Sequence, residues 1–169
     1  MTLDISSAKT RQYTGFALML LFLMLVTPWA YMHFNQEEVL WRKGQQAFAA
    51  GDYEQAAGYY SRALKKGKIN YMLLDRLGDS SLATGRPDQA RDAFEFLRQR
   101  YPDDARVLLK LARAYWSIND SGQAMEAVDQ ALEFRSDWKN ALFLRAQIFT
   151  SQGRFEEAIN IYYRILGEE

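Results

Sequence analysis

Four short segments, GDYEQA, GRPDQA, NDSGQA and GRFEEA, end at Ala56, Ala90, Ala124 and Ala158, each 34 residues after the last with no insertion between. A fixed period of this length restricts the chain to a stack of like units. Each unit repeats one supersecondary element, and none can bury its apolar face alone. Five places before each alanine stands Gly51, Gly85, Asn119 or Gly153. Gly and Asn enter the left-handed backbone region at least cost, so each marks a helix end and a tight turn into the next helix. Asp52 with Gln55, and Asp120 with Gln123, have the spacing of a capping box at the start of that next helix. The pattern predicts an all-α fold with helices near residues 37–50, 53–67, 71–84, 88–101, 105–118, 121–134, 139–152 and 155–167.

Further residues keep the same phase. Leu77 and Gly78 form a Leu-Gly pair, and Gly44 repeats the glycine one unit earlier. Tyr115 and Phe149 share one aromatic position, Tyr60, Phe94 and Tyr162 another, with Ala63 and Ala131 as late small residues and Pro102 closing its unit. This arrangement resembles the tetratricopeptide repeat family. Lys68 and Ser136 depart from it by replacing the closing proline, Ala112 and Ala146 by replacing the glycine, and Val128 by not being aromatic. The resemblance implies a right-handed α-solenoid over residues 35–169, with four helix-turn-helix units at 37–70, 71–104, 105–138 and 139–169. Small residues would let paired helices approach, and aromatic rings would fill the gaps between pairs.

Ahead of the repeats, after an N-terminal tail of residues 1–13, residues 14–34 carry no charge, and residues 16–26 (FALMLLFLMLV) are unbroken hydrocarbon. As a helix this segment rises about 31 Å, the thickness of a bilayer core. It is expected to be a transmembrane signal anchor contacting lipid, with Trp29, Tyr31 and Phe34 in the interfacial belt. A cleaved signal peptide fits less well, because Pro28 would stand at −3 to Ala30. Lys9 and Arg11 lie closer to the apolar run than Arg42 and Lys43, which puts the N-terminus inside and the repeats outside the cytoplasm.

Lys+Arg and Asp+Glu are both 21, so the basic excess of a nucleic-acid binder is missing. Without cysteine, and with His33 as the single histidine, no ordinary zinc site can be assembled, and neither metal nor cofactor is expected. No phosphate-binding glycine loop or nucleophile elbow occurs, so the chain reads as a non-enzyme. Asp103/Asp104 and Glu156/Glu157 fall at helix starts, where the dipole favours acids. Lys65, Lys66 and Lys68 close a helix, which suits the dipole equally; a lipid-binding patch is the other reading.

The resemblance also implies that the first helix of each unit faces a concave, partner-binding groove. It carries that role onto Glu38, Trp41, Gln45 and Phe48; Met72, Asp75, Asp79 and Leu82; Arg106, Leu109, Arg113 and Trp116; and Asn140, Phe143, Gln147 and Thr150. Against this, Trp41 could rest in the membrane interface, Phe48 and Leu82 could pack between units, and Asp79 could pair with Arg113. Trp41 and Gln45 stand where some members hold a carboxylate, so a carboxylate clamp is not expected. In the last helix Phe155, Ala158, Ile159, Tyr162 and Leu166 are expected to face inward. Ile161 and Ile165 would form an exposed interface for a second copy or a partner helix, or be plain surface. The expected function is a scaffold in a bacterial inner membrane that binds other proteins and helps assemble an envelope complex. Such architecture resembles translocon-associated, cytochrome c maturation and export-machinery proteins. The alternative is a targeting receptor facing the cytosol.

Overall fold

A computed structural model of the chain describes residues 5–167, leaving aside several side chains of the first helix. The elements are α1 (Ile5–Phe34), α2 (Gln36–Ala49), α3 (Tyr53–Lys65), α4 (Tyr71–Ala83), α5 (Pro87–Arg100), α6 (Ala105–Ser117), α7 (Ser121–Phe134), α8 (Lys139–Ser151) and α9 (Phe155–Leu166). The eight helices from α2 onward start and end within two residues of the bounds read from the sequence. They pack as pairs, α2 on α3, α4 on α5, α6 on α7 and α8 on α9, and each pair rests on the next. Successive first helices also touch, α2 with α4, α4 with α6 and α6 with α8. Among the described residues no such backbone approach joins α3 to α5 or α5 to α7. The layer whose helices lie closer together is the inner one of a curved stack. The face of α2, α4, α6 and α8 is therefore concave.

The turns repeat as the helices do. Gly51, Gly85 and Gly153 have φ of 76°, 69° and 74°, and Asn119 is the only non-glycine with positive φ among the described residues, at 62°. The amide after each turn residue reaches back over the helix end: Asp52 to Ala47 (2.9 Å), Arg86 to Ser81 (2.8 Å), Asp120 to Tyr115 (2.9 Å) and Arg154 to Phe149 (2.9 Å). This satisfies carbonyls that the helix leaves without partners. Asp52 and Asp120 then accept from the amides of Gln55 and Gln123, both at 3.0 Å. The reciprocal arm of a capping box differs from expectation at Gln55, whose side-chain amide donates to Asp52 Oδ2 (2.7 Å). Asn70 caps α4 in the same manner, and Asp104 caps α6 through the amide of Arg106, two residues on.

Inside the first three pairs, a small residue and a larger one trade size at one recurring contact. A Cβ on Gly44 would lie 2.6 Å from the Tyr60 ring, and one on Gly78 only 2.3 Å from the Phe94 ring. Each ring is fully buried against a bare backbone. The same two positions in the third unit hold Ala112 and Val128, both 0% exposed, so a methyl is added on one side and the ring removed on the other. In the fourth unit Ala146 faces Tyr162, which is only half-buried and rests edge-on to Phe143 at 6.0 Å.

The helix α1 runs from Ile5 and so takes in part of the 1–13 tail as well as residues 14–34, and only Asn35 separates it from α2. Over residues 16–25 its large apolar side chains are 43–77% exposed. Among the described residues no helix is long and apolar enough to cross a membrane. The anchor expected over residues 14–34 rests partly on Trp29, Tyr31 and Phe34, whose side chains lie outside the described ones.

Candidate partner-binding surface

In the first half of the array the concave side chains are engaged with one another. Glu38 accepts from Lys68 Nζ at 2.7 Å and Arg42 Nε at 3.2 Å. The Lys68 hydrogen bond holds its carboxyl below the usual range, against the effect of burial. Lys68 also lies 5.2 Å from the centre of the Trp41 ring, and Trp41 is half-buried on the core with an indole N–H that has no partner among the described residues. The Gln45 amide lies 3.1 Å from the Met72 thioether. Arg76 stacks 4.2 Å over Phe48, and Leu82 packs on the core. Asp75 and Asp79 converge on Lys110 Nζ, at 2.5 and 2.9 Å. Asp79 therefore pairs with Lys110 and not with Arg113. The two carboxylates sit one turn apart on α4, and Lys110 occupies the flank of α6 beside them.

The second half is different. Leu109 is 3% exposed and belongs to the core with Leu142 and Leu144, which corrects its assignment to the groove. Val107, Leu108 and Leu109 are buried in succession, so α6 is covered around most of its circumference at that turn. Arg106 is exposed and folds back on Asp104 (3.2 Å). Arg113 is exposed and has no ion-pair partner among the described residues. Trp116 and Gln147 are half-buried, Asn140 and Thr150 exposed, and Phe143 is 49% exposed.

Two tyrosines tie the α4–α5 pair to α6, whose N-cap is Asp104. Tyr71 donates to Asp104 (2.9 Å), and Tyr115 donates to Glu95. Burial first, and these acceptors second, push both hydroxyls up to about 12. Tyr60 is also pushed up to about 12 by burial, and its hydroxyl has no partner among the described residues. Burial works to raise Asp104, but hydrogen bonds from Arg106 and Tyr71 hold its carboxyl below the usual range.

At α9 Ala158 and Tyr162 face inward as expected, but the buried face is rotated from the expected one. Ile161 and Ile165 are half-buried against the core, whereas Phe155, Ile159 and Leu166 are 60%, 49% and 69% exposed, with Tyr163 at 51%. Ala158, Ile161 and Ile165 fix the buried phase at helical spacing. Tyr163 repeats the position of Ser61, Glu95 and Asp129. Ser61 accepts from Gln89 at 2.8 Å, Glu95 takes the Tyr115 hydroxyl, and Asp129 lies 3.0 Å from Arg145 Nε, though poorly aligned for a hydrogen bond. The exposed face of α9 is therefore the one through which each earlier unit meets its successor.

Sequence reading missed the column Arg42, Arg76 and Lys110, three basic residues 34 apart on the concave layer. Arg76 and Lys110 each reach back to the preceding unit. The period was the signal that could have found them. Among the described residues no group of side chains could hold a metal ion.

Paired helices at a constant interval, curved around a concave layer of mixed aromatic and charged side chains, define an α-solenoid of the protein-binding class. The chain belongs to the tetratricopeptide repeat family: models so described match residues 38–74, 81–148 and 140–167, together more than half of its length. None of these models describes a catalytic family. Among curated proteins it is 25% identical over 132 residues to human tetratricopeptide repeat protein 21A and 30% identical over 127 residues to rat sperm-associated antigen 1. These alignments cover 77% and 75% of the chain but 10% of each relative, so the chain spans about a tenth of their length. Among solved structures, MamA of Desulfovibrio magneticus superposes with a TM-score of 0.74 at 19% identity, covering 99% of this chain and 97% of that one. A thermophilic repeat protein of Thermus thermophilus gives 0.63 at 22%, covering 79% and 74%. These two likenesses are of fold alone.

Proposed function

We propose that the chain is a membrane-anchored scaffold that holds a partner protein on the third and fourth units of its concave face. Arg113 carries this reading. It is an exposed cation on α6 with no ion-pair partner among the described residues, in the same layer as the half-exposed Phe143 and the half-buried Trp116. Arginine and aromatic side chains on a concave surface are the usual material of binding hot spots. The charged side chains Glu38, Asp75 and Asp79 of α2 and α4 are already paired, with Lys68, Arg42 and Lys110. A pulldown of the full chain in mild detergent, followed by mass spectrometry, tests it. Arg113→Ala should lose partners that the unaltered chain retains, with its melting temperature unchanged. Retention of every partner would contradict the assignment.

Anchoring is supported by the exposed apolar residues 16–25 of α1, which water would solvate at high cost and lipid would cover. In this reading the scaffold serves an envelope complex of the translocon-associated, cytochrome c maturation or export type. It sits in an inner membrane with its repeats outside the cytoplasm, as the nearness of Lys9 and Arg11 to the apolar run favours. The uncovered face of α9 would accept a second copy. A cytosol-facing targeting receptor is the second reading, favoured by the basic residues Arg62, Lys65 and Lys66 beside the start of α2. A reporter fused after Glu169 separates the two: activity only outside the cytoplasm supports the first, and only inside it the second.

A further inference from the structure

At the end of α3, Arg62, Lys65 and Lys66 are exposed, and among the described residues none has an ion-pair partner. Lys68, two residues on, is different, being tied to Glu38 at 2.7 Å. Together with Gln36, Val39 and Leu40 of α2, the three cations line a cavity of about 420 Å³. A favourable match to the dipole of α3 explains the charges. It does not explain why they rim an apolar floor. Gln36 opens α2, and a single residue separates it from α1. The cavity therefore lies where the apolar helix meets the repeats.

We propose that this cavity receives the phosphate headgroup of an anionic lipid and so fixes how the solenoid stands on the bilayer. The inference rests on the reading of α1 as an anchor. With α1 in the bilayer, the cavity lies near headgroup depth, within the Debye length over which an anionic surface attracts Lys and Arg. Arg62, Lys65 and Lys66 contact the phosphate oxygens, while Val39 and Leu40 cover the first carbons of the lipid. A free phosphate ion would have no use for that floor. The acid at Glu38 does not oppose binding, because Lys68 and Arg42 already neutralise it. Glu37 is the remaining acid on that turn of α2.

The test uses the full chain in vesicles of phosphatidylcholine alone or with phosphatidylglycerol added. A membrane-permeant acetylating reagent is applied, and each lysine is read by mass spectrometry. In the anionic vesicles Lys65 and Lys66 should be protected several-fold more than Lys43, a nearby exposed lysine, with Lys139 in the fourth unit unchanged. Arg62→Ala should remove most of that protection. Equal acetylation of Lys65 and Lys66 in both vesicle types overturns the proposal and leaves the anchor standing. So does protection of Lys43 to the same degree, which would mean a general surface field. Protection by inorganic phosphate with neutral vesicles would overturn the lipid assignment in favour of a free anion. Failure of the chain to float with neutral vesicles would remove the anchor, and this inference with it.

Discussion

The first two repeats and the last two solve the same packing problem with different residues, and their concave faces differ in consequence. Gly44 and Gly78 admit the rings of Tyr60 and Phe94, whereas Ala112 and Ala146 face Val128 and a half-buried Tyr162. On the concave side the basic column Arg42, Arg76 and Lys110 ends at Leu144, which is buried. Lys110 can reach back to Asp79. Leu144 offers nothing to Arg113, the residue equivalent to Asp79. The difference teaches that an array of equivalent positions can be closed at one end and open at the other through a single break in a charge column.

The largest expected effect lies in the packing contrast. Gly78→Ala places a methyl where the Phe94 ring now sits and should cost about 1–3 kcal/mol in a denaturant melt. Phe94→Val alone leaves a cavity and should cost roughly 2 kcal/mol or more. The pair together copies the third unit and should be clearly less damaging than the sum of the two. Full additivity would mean that the units do not exchange volume in this way. Ala112→Gly, which introduces no clash, should cost about 1 kcal/mol through helix propensity.

Alkaline pH should sharpen the comparison next. Tyr60, Tyr71 and Tyr115 are pushed up to about 12, so between pH 10 and 12 the unfolded chain loses protons that the folded chain keeps. Stability is complete below the unfolded value of 10 and falls as pH rises towards 12. Hydrogen exchange in that window should show helices α2 to α6 opening before α8 and α9. The reverse order would break the account. Glu38 and Asp104, both held low, give the mirror effect: their stabilisation is present above the ordinary carboxylate range and lost as pH falls through their lowered values. Tyr60→Phe removes a buried hydroxyl without a partner and should be neutral or stabilising by up to about 1 kcal/mol.

A smaller effect separates the two charge patterns. Lys110→Met leaves Asp75 and Asp79 facing each other, and should cost up to about 1 kcal/mol, since all three groups are partly solvated. Asp79→Asn in the same chain should recover part of it. Arg113→Ala should leave the melting temperature within error, and coupling of Arg113 to Asp79 in a double-mutant cycle would contradict the pairing described.

The period made the helices, their turns and the buried alanines legible in the sequence, because a residue that must adopt φ of 62°, as Asn119 does, is drawn from a short list. Side-chain direction was less legible. Leu109 occupies a groove position in the repeat, yet burial on both flanks of α6 turns it into core. The phase of α9 was right at Ala158 and Tyr162 but not at Phe155, Ile159 and Leu166, because these extend the apolar stripe as well as Ile161 and Ile165 do. Only packing against α8 decides which faces in. The partner of Asp79 depended on which of two cations three residues apart lies beside α4, a matter of degrees of helix rotation.

The central claim is that the open half of the concave face is where a partner is held. A photo-crosslinking residue placed at Phe143, or instead at Met72 in the closed half, tests it in cells that express the full chain. Met72 is as exposed as Phe143, both at 49%, so accessibility does not bias the comparison. The account predicts discrete crosslinked products from position 143 that disappear with Arg113→Ala, and none from position 72. Products from position 72 that persist in the Arg113→Ala chain, with none from position 143, would contradict it.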